Sequence, residues 1–337
     1  MIVREMPTVG DAAAMAGRLT ASGETGRLGT ARRVVAAPDR RRRLQLGLAG
    51  LWLLDGVLQY QAAMFARGFP RMLAQSAAGN PAIVARPITW SADIIGHDVV
   101  TANAIFAGLQ IALGLGIAWR PTVRIALGAS VVWALAVWWL GEGLGGVLTT
   151  GANPVSGAPG AAVIYALLAL LLWPVAESRP ASFAAGQAAG SHAARAVWLV
   201  LWGSLAFFAL SPASRAPRAV SSVISGMASG QPRWLAWTDD HAASALSHHG
   251  LVASAILAAA LFIVALAVWL PRPAVRAGLT LALVVAAAIW VGQGLGGILT
   301  GSATDPGSAP VLALLIAAYW PTGPIRRPAA SGEGTLR

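Results

Sequence analysis

Several polar residues stand where an apolar chain has reason to avoid them. Asp55 and Gln59 lie four apart in "LLDGVLQYQ", and Asn103 and Gln110 lie seven apart in "NAIFAGLQ", so each pair shares one helical face. Glu142 sits inside "WWLGEGLGGVLT", residues 138–149, which returns as "IWVGQGLGGILT", residues 289–300, with Gln293 in its place. His97 precedes Asp98, and His248 precedes His249. An ionisable group in an apolar layer is costly, and is by default a functional hypothesis. Glu142, His97 and Asp55 are therefore the candidates for catalytic proton handling. Gln59, Asp98, Asn103, Gln110 and Gln293 are candidate ligand-binding groups. His97, His248 and His249 are the candidate metal ligands, since imidazole with carboxylate suits zinc, copper or iron. Plainer roles stay open beside these: interhelical hydrogen bonds, caps at helix starts, and a glutamate reaching interfacial water.

The elements that must position these residues follow from composition. The 337 residues are 56% hydrophobic and 11% charged, against roughly a quarter charged in soluble domains. That places the chain among polytopic membrane proteins. All 24 basic residues are arginine, and they cluster beside apolar spans rather than among aromatic side chains, so the formal charge of +11 points to membrane orientation and away from nucleic acid. The absence of cysteine excludes thiolate nucleophiles, disulfides and cysteine-ligated metal clusters.

Spans long enough to cross ~30 Å of hydrocarbon are expected near 44–66, 98–119, 122–141, 159–176, 195–212, 250–270, 274–293 and 309–322. The fold class is an all-α polytopic bundle of about eight transmembrane helices. The expected organisation is a basic disordered tail over 1–43, a four-helix unit over 44–176, a linker over 177–194, a second four-helix unit over 195–322 and a tail over 323–337. With both termini cytoplasmic, every arginine except Arg67, Arg71, Arg86, Arg215, Arg218 and Arg233 lies inside, and these six fall in two long outer loops. Trp119, Trp173, Trp269 and Trp320, each followed within two residues by proline, fit an inner aromatic belt. The outer loops at 67–97 and 213–249 space apolar residues three and four apart, which predicts short amphipathic helices.

An offset of 151 carries His97 onto His248, Trp139 onto Trp290, Gly141 onto Gly292 and Pro159 onto Pro310. The chain therefore reads as a tandem duplication whose halves, each with an even number of spans, run parallel about a pseudo-two-fold axis. Gly141 with Gly145, and Gly292 with Gly296, have the spacing of close helix packing, and Pro159 and Pro310 suit first helical positions. The first half keeps Asp55, Gln59 and Glu142 where the second is apolar or carries Gln293, so the first is expected to be the active half.

Each half, with its long outer loop and then "NAIFAGLQIALGLGIAWRPTVRIALGASVVWALAV" in the first copy, resembles the four-helix DoxX-type membrane proteins. That resemblance implies a helical bundle partnering a quinone-linked redox system. The leading expectation is an integral subunit or accessory of a redox or metal-handling complex in a bacterial plasma membrane. Its partners would be the lipid bilayer and other membrane subunits. Asp55, Gln59, His97, Asp98, Asn103 and Glu142 would line a pocket opening outward. Quinone, haem or a divalent metal are the cofactors in view. A small-solute or ion transporter, and a structural assembly factor, are the alternatives.

Overall fold

A computed structural model describes residues 39–175 and 181–321, and these contain helices and turns with no strand. Eight helices carry the bundle: α1 (Arg40–Gln59), α4 (Val99–Ala118), α5 (Val123–Leu140), α6 (Ala161–Leu171), α8 (Ser191–Ala209), α12 (Gly250–Ala267), α13 (Arg272–Gly292) and α14 (Ser308–Tyr319). Five of the segments, 99–118, 120–140, 191–209, 250–267 and 272–292, are long and apolar enough to cross a membrane. Large apolar side chains such as Val100, Ile105, Ile125 and Val132 face outward from them, as they do on helices solvated by lipid. Between α1 and α4 lie α2 (Gly68–Gln75) and α3 (Ala82–His97). Between α8 and α12 lie α9 (Pro212–Arg215), α10 (Ala219–Met227) and α11 (Arg233–Leu246), so both long loops are helical.

α1 packs along α4, α8 along α12, α5 along α6 and α13 along α14, while α14 also touches α1 and α6. Small residues permit the tightest crossing. A Cβ on Gly56 would stand 2.6 Å from Ile111 of α4, and one on Gly114 would stand 2.6 Å from Leu53 of α1. Backbones approach this closely in lipid only where side chains are missing.

Two expectations change. Arg40 to Arg43 are the first turn of α1 rather than the end of a tail. The guanidinium groups of Arg40 and Arg42 bind carbonyls at the ends of other helices: Arg40 donates to Ala317 O at 2.8 Å, and Arg42 to Ile117 O at 2.8 Å and to Ala118 O. Gln45 adds a bond to Leu172 O at 2.9 Å. Cationic donors suit helix C-termini because the last carbonyls there have no intrahelical partner. The span expected over 159–176 is an eleven-residue helix, α6, which starts only after Gly160, whose φ of 99° no right-handed helix holds, and stops at Leu171, three residues before Pro174. A short helix α7 (Ala185–Ala189) precedes α8, which begins at Ser191. The expected tails and the start of the linker, at 1–38, 177–180 and 323–337, lie outside the described residues.

Candidate functional site

The glycine-rich segments make the same unusual turn twice. Gly143, Leu144, Gly145 and Gly146 have φ of 56, 57, 61 and 69°, and Gly294, Leu295, Gly296 and Gly297 have 60, 55, 66 and 72°. Four consecutive left-handed residues are rare, since an L side chain pays ~1–2 kcal/mol for that conformation and only glycine escapes it. Space makes a second demand. A Cβ on Gly296 would stand 2.6 Å from Pro306 O, and one on Gly145 would land on Pro159 O. Gly145 and Gly296 therefore lie outside any helix, and the four-residue glycine spacing serves this turn rather than helix packing.

A tryptophan locks each turn to the loop that follows. Trp138 Nε1 donates to Pro159 O at 2.6 Å, and Trp290 Nε1 to Pro306 O at 2.8 Å. The tryptophan doing Trp290's work is thus Trp138 and not Trp139, and the matching proline is Pro306 and not Pro310. The one-residue slip arises at the end of α5, where Glu142 N bonds five residues back to Val137 O at 2.9 Å, while Gln293 N bonds four back to Ile289 O at 2.9 Å. Neither proline opens a helix: Pro159 precedes the N-cap Gly160, and Pro310 is the third residue of α14.

These turns deliver α6 and α14 with carboxylates at their starts. Glu142 Oε1 accepts from Ala161 N at 3.1 Å and Ala162 N at 3.0 Å, with Oε2 at 3.2 Å from Ala162 N. A carboxylate there satisfies orphan N–H groups and meets the positive end of the helix dipole. At α14 the role passes to Asp305, whose Oδ1 accepts from Gly307 N at 2.7 Å. Gln293 instead reaches across, its Nε2 donating to Val155 O at 3.1 Å and Pro154 O at 3.3 Å.

A cavity of about 410 Å³ opens between α1, α2, α3, α4, α5 and α6. Aromatic side chains form much of its wall: Trp52, Phe69, Phe106, Trp133 and Tyr165. Phe106 and Trp133 meet at 5.4 Å between centroids, and Trp52 and Tyr165 at 4.7 Å. Polar groups interrupt this wall at a few places. Tyr165 donates its hydroxyl to Asp55 Oδ1 at 3.1 Å, and Asp55 is 2% exposed. Gln59, Gln110 and Trp133 each keep one buried polar atom without a hydrogen-bond partner: Oε1, Oε1 and Nε1. Native interiors rarely leave such atoms unpaired, so their concentration on one cavity calls for an account.

Glu142, Ala161 and Asp305 also line a second, polar cavity of about 660 Å³, where the two glycine-rich turns meet. Gln293 lines this second cavity.

Other expected residues stand elsewhere. Asn103 is fully buried and locked to α1: Gln59 Nε2 donates to its Oδ1 at 2.6 Å, and its Nδ2 donates to Gln59 O at 2.8 Å. His97 ends α3, its Nδ1 donating to Asp93 O at 2.7 Å. Asp98 caps α4, accepting from Thr101 N at 3.0 Å, and those bonds from Thr101 hold its carboxyl below the ordinary value. His97, Asp98, His248 and His249 are exposed and line neither cavity. Among the described residues no three of His, Cys, Asp or Glu are grouped as a metal would need, so the expected set of His97, His248 and His249 is not assembled. His97, His248 and His249 stand at or beside the ends of helices of the two long loops, whereas Asp55 belongs to α1 and Glu142 follows α5.

Tyr165 and Asp305 complete the site and were not among the expected residues. Tyr165 is one of only three tyrosines and stands in an otherwise apolar helix, and Asp305 directly precedes Pro306 in "ATDPGSAP". Both signals are visible in the sequence, but neither points to its partner.

Fold and composition define a helical membrane protein with several apolar helices. Compared with protein-family models, curated proteins and solved structures, the chain finds no match in any of the three.

Proposed function

We propose that the protein binds a lipophilic molecule with a hydrogen-bonding head group, of the quinone class, in the aromatic cavity, as an integral part of a membrane redox assembly. The observation that carries this reading is the pairing of aromatic walls with the unpartnered buried atoms of Trp133, Gln110 and Gln59. A cavity of this size and apolarity with few polar groups is typical of small-molecule sites. The Trp133 indole N–H would donate to a quinone carbonyl, and Gln110 Oε1 and Gln59 Oε1 would accept from quinol hydroxyls. Trp52 and Phe106 offer faces for stacking. A bound quinone would supply paired electron and proton chemistry, and the chain's own share is to orient the head group and hold a proton at Asp55 or Tyr165. No histidine lines the cavity, so the residues present fit neither haem nor a histidine-bound metal.

In this reading the bundle has eight membrane helices in two parallel four-helix repeats of DoxX-like character. It sits in a bacterial plasma membrane with both termini cytoplasmic, and other membrane subunits are its partners. The recurrence of the left-handed turn, its tryptophan lock and its closing short helix supports the duplication. The aromatic cavity draws mainly on the first half, which supports a division of labour between the halves.

A second reading, a small-solute or ion transporter, is favoured by one feature. At ~1.5 Å per residue, α6 and α14 span only about 16–18 Å, so both start well short of full membrane thickness with carboxylates at their N-termini. Discontinuous helices of this kind build binding sites in transporters. Extraction of the protein purified from its native membrane, with quantification of co-purifying quinone, separates the two. Stoichiometric quinone, lost in Trp133→Phe, supports the first reading. A protein free of quinone, combined with solute uptake in proteoliposomes, supports the second.

A further inference from the structure

The polar cavity is built differently from its aromatic neighbour. Both glycine-rich turns contribute to it, through Gly145 and Gly146 on one side and Gly296 and Gly297 on the other. Its hydroxyl donors are largely committed to the protein. Ser76 donates to Leu73 O at 2.8 Å, Thr149 to Gly146 O at 2.8 Å and Ser156 to Asn153 O at 2.9 Å. Its amides are committed as well. Asn80 Nδ2 donates to Ser76 O at 3.0 Å, Gln231 Nε2 to Gly294 O at 3.0 Å, and Gln293 Nε2 to the loop carbonyls described above.

What these groups leave over is acceptor capacity. Asn80 Oδ1 and Gln231 Oε1 are buried with no partner, and these two residues hold matching places beside the two turns. Hydroxyl oxygens whose hydrogens are spent on carbonyls can still accept. Glu142 and Asp305 add two carboxyl groups, and among the described residues no Arg or His lines the cavity. Such a wall, with two carboxyl groups and no cationic side chain among its described lining, disfavours anions. It favours a cation that brings its own donors. The cavity, at about 660 Å³, is far larger than a bare ion, and no metal-ligand cluster occurs among the described residues.

We infer that the polar cavity is a binding site for a small organic ammonium ion bearing N–H donors, separate from the lipophile in the aromatic cavity. Asp305 supplies the counter-charge, and the amide oxygens of Asn80 and Gln231 accept from the ammonium hydrogens once it is seated. The carboxylate wall common to both cavities places the two sites back to back.

Isothermal titration of the full-length protein in lipid nanodiscs tests this, with methylammonium, 1,4-diaminobutane, tetramethylammonium and sodium as probes at one ionic strength. Saturable binding of an N–H-bearing ammonium is expected, with tetramethylammonium weaker by about tenfold or more, because charged hydrogen bonds are worth ~1.5–3 kcal/mol. Asp305→Asn, which retains an oxygen for Gly307 N, is expected to weaken binding by a similar factor. No saturable binding of either N–H-bearing probe to the wild type would overturn the inference. So would equal binding of tetramethylammonium or sodium, or unchanged binding in Asp305→Asn. The tetramethylammonium comparison needs no variant and stands even if Asp305→Asn fails to fold. Quinone occupancy of the aromatic cavity is read independently, so either site can fail while the other holds.

Discussion

Tyr165 of α6 donates its hydroxyl to Asp55 of α1 across 3.1 Å, tying together two residues 110 apart in sequence on the wall of one cavity. Removing the hydroxyl alone leaves a buried carboxyl group short of a partner. Tyr165→Phe is therefore expected to destabilise the protein by ~1–3 kcal/mol, read as a lower unfolding midpoint in detergent. Asp55→Leu combined with Tyr165→Phe is expected to cost less than the sum of the two single changes, since no polar group is then stranded. Additive losses would show that the pair does not interact.

Glu142 and Gln293 occupy matching places in the two turns and do different work. Glu142 caps α6 with both oxygens, whereas Gln293 donates its amide to carbonyls of the other half. Glu142→Ala is expected to cost ~1–2 kcal/mol through the lost cap, with Glu142→Gln intermediate. Gln293→Glu is expected to destabilise as well, because it sets a carboxylate against the Val155 carbonyl with no hydrogen to share. Thermal unfolding of the three variants at one lipid-to-protein ratio checks the order.

Glycines in the turn are expected to differ sharply in tolerance. Gly145 has φ of 61° and no room for a Cβ beside Pro159 O, whereas Gly301 has φ of 74° and open space around it. Gly301→Ala is expected to cost about 1 kcal/mol of backbone strain. Gly145→Ala adds a collision with backbone and is expected to abolish stable expression. Comparable yield and melting behaviour in the two variants would contradict the packing described for the turn.

The arginines at the start of α1 give a test at the opposite end of the bundle. Arg42→Ala removes donors from Ile117 O and Ala118 O, and a loss of ~1–2 kcal/mol is expected. Arg43, which is exposed, is expected to tolerate alanine with little change in unfolding midpoint.

Hydropathy made α4, α5, α8, α12 and α13 legible to within a few residues, because a membrane helix must satisfy its own backbone and so needs a long apolar run. The start of α1 was not legible. Four arginines look like a tail until the carbonyl ends of α4 and α14 are seen beside them. The repeat was visible in "GLGG", yet its register slipped by one at Trp138 through a hydrogen bond that no residue type announces. Asp55, Gln59, Gln110 and Glu142 stood out as polar residues in apolar company, and all four line the aromatic cavity. Asn103 stood out equally and proved to be a lock between α1 and α4, since polarity alone does not tell an interhelical bond from a binding group. His97 with His248 and His249 formed a set in sequence that long-range packing does not assemble.

Titration of a short-chain quinone analogue into the purified protein in lipid nanodiscs, followed by equilibrium dialysis, tests the central claim most directly. Saturable binding is expected, weakened about tenfold in Trp133→Phe through one lost hydrogen bond, and abolished in Ala136→Trp, which fills the cavity. An absence of saturable binding to the wild type, or equal binding to all three proteins, would contradict it.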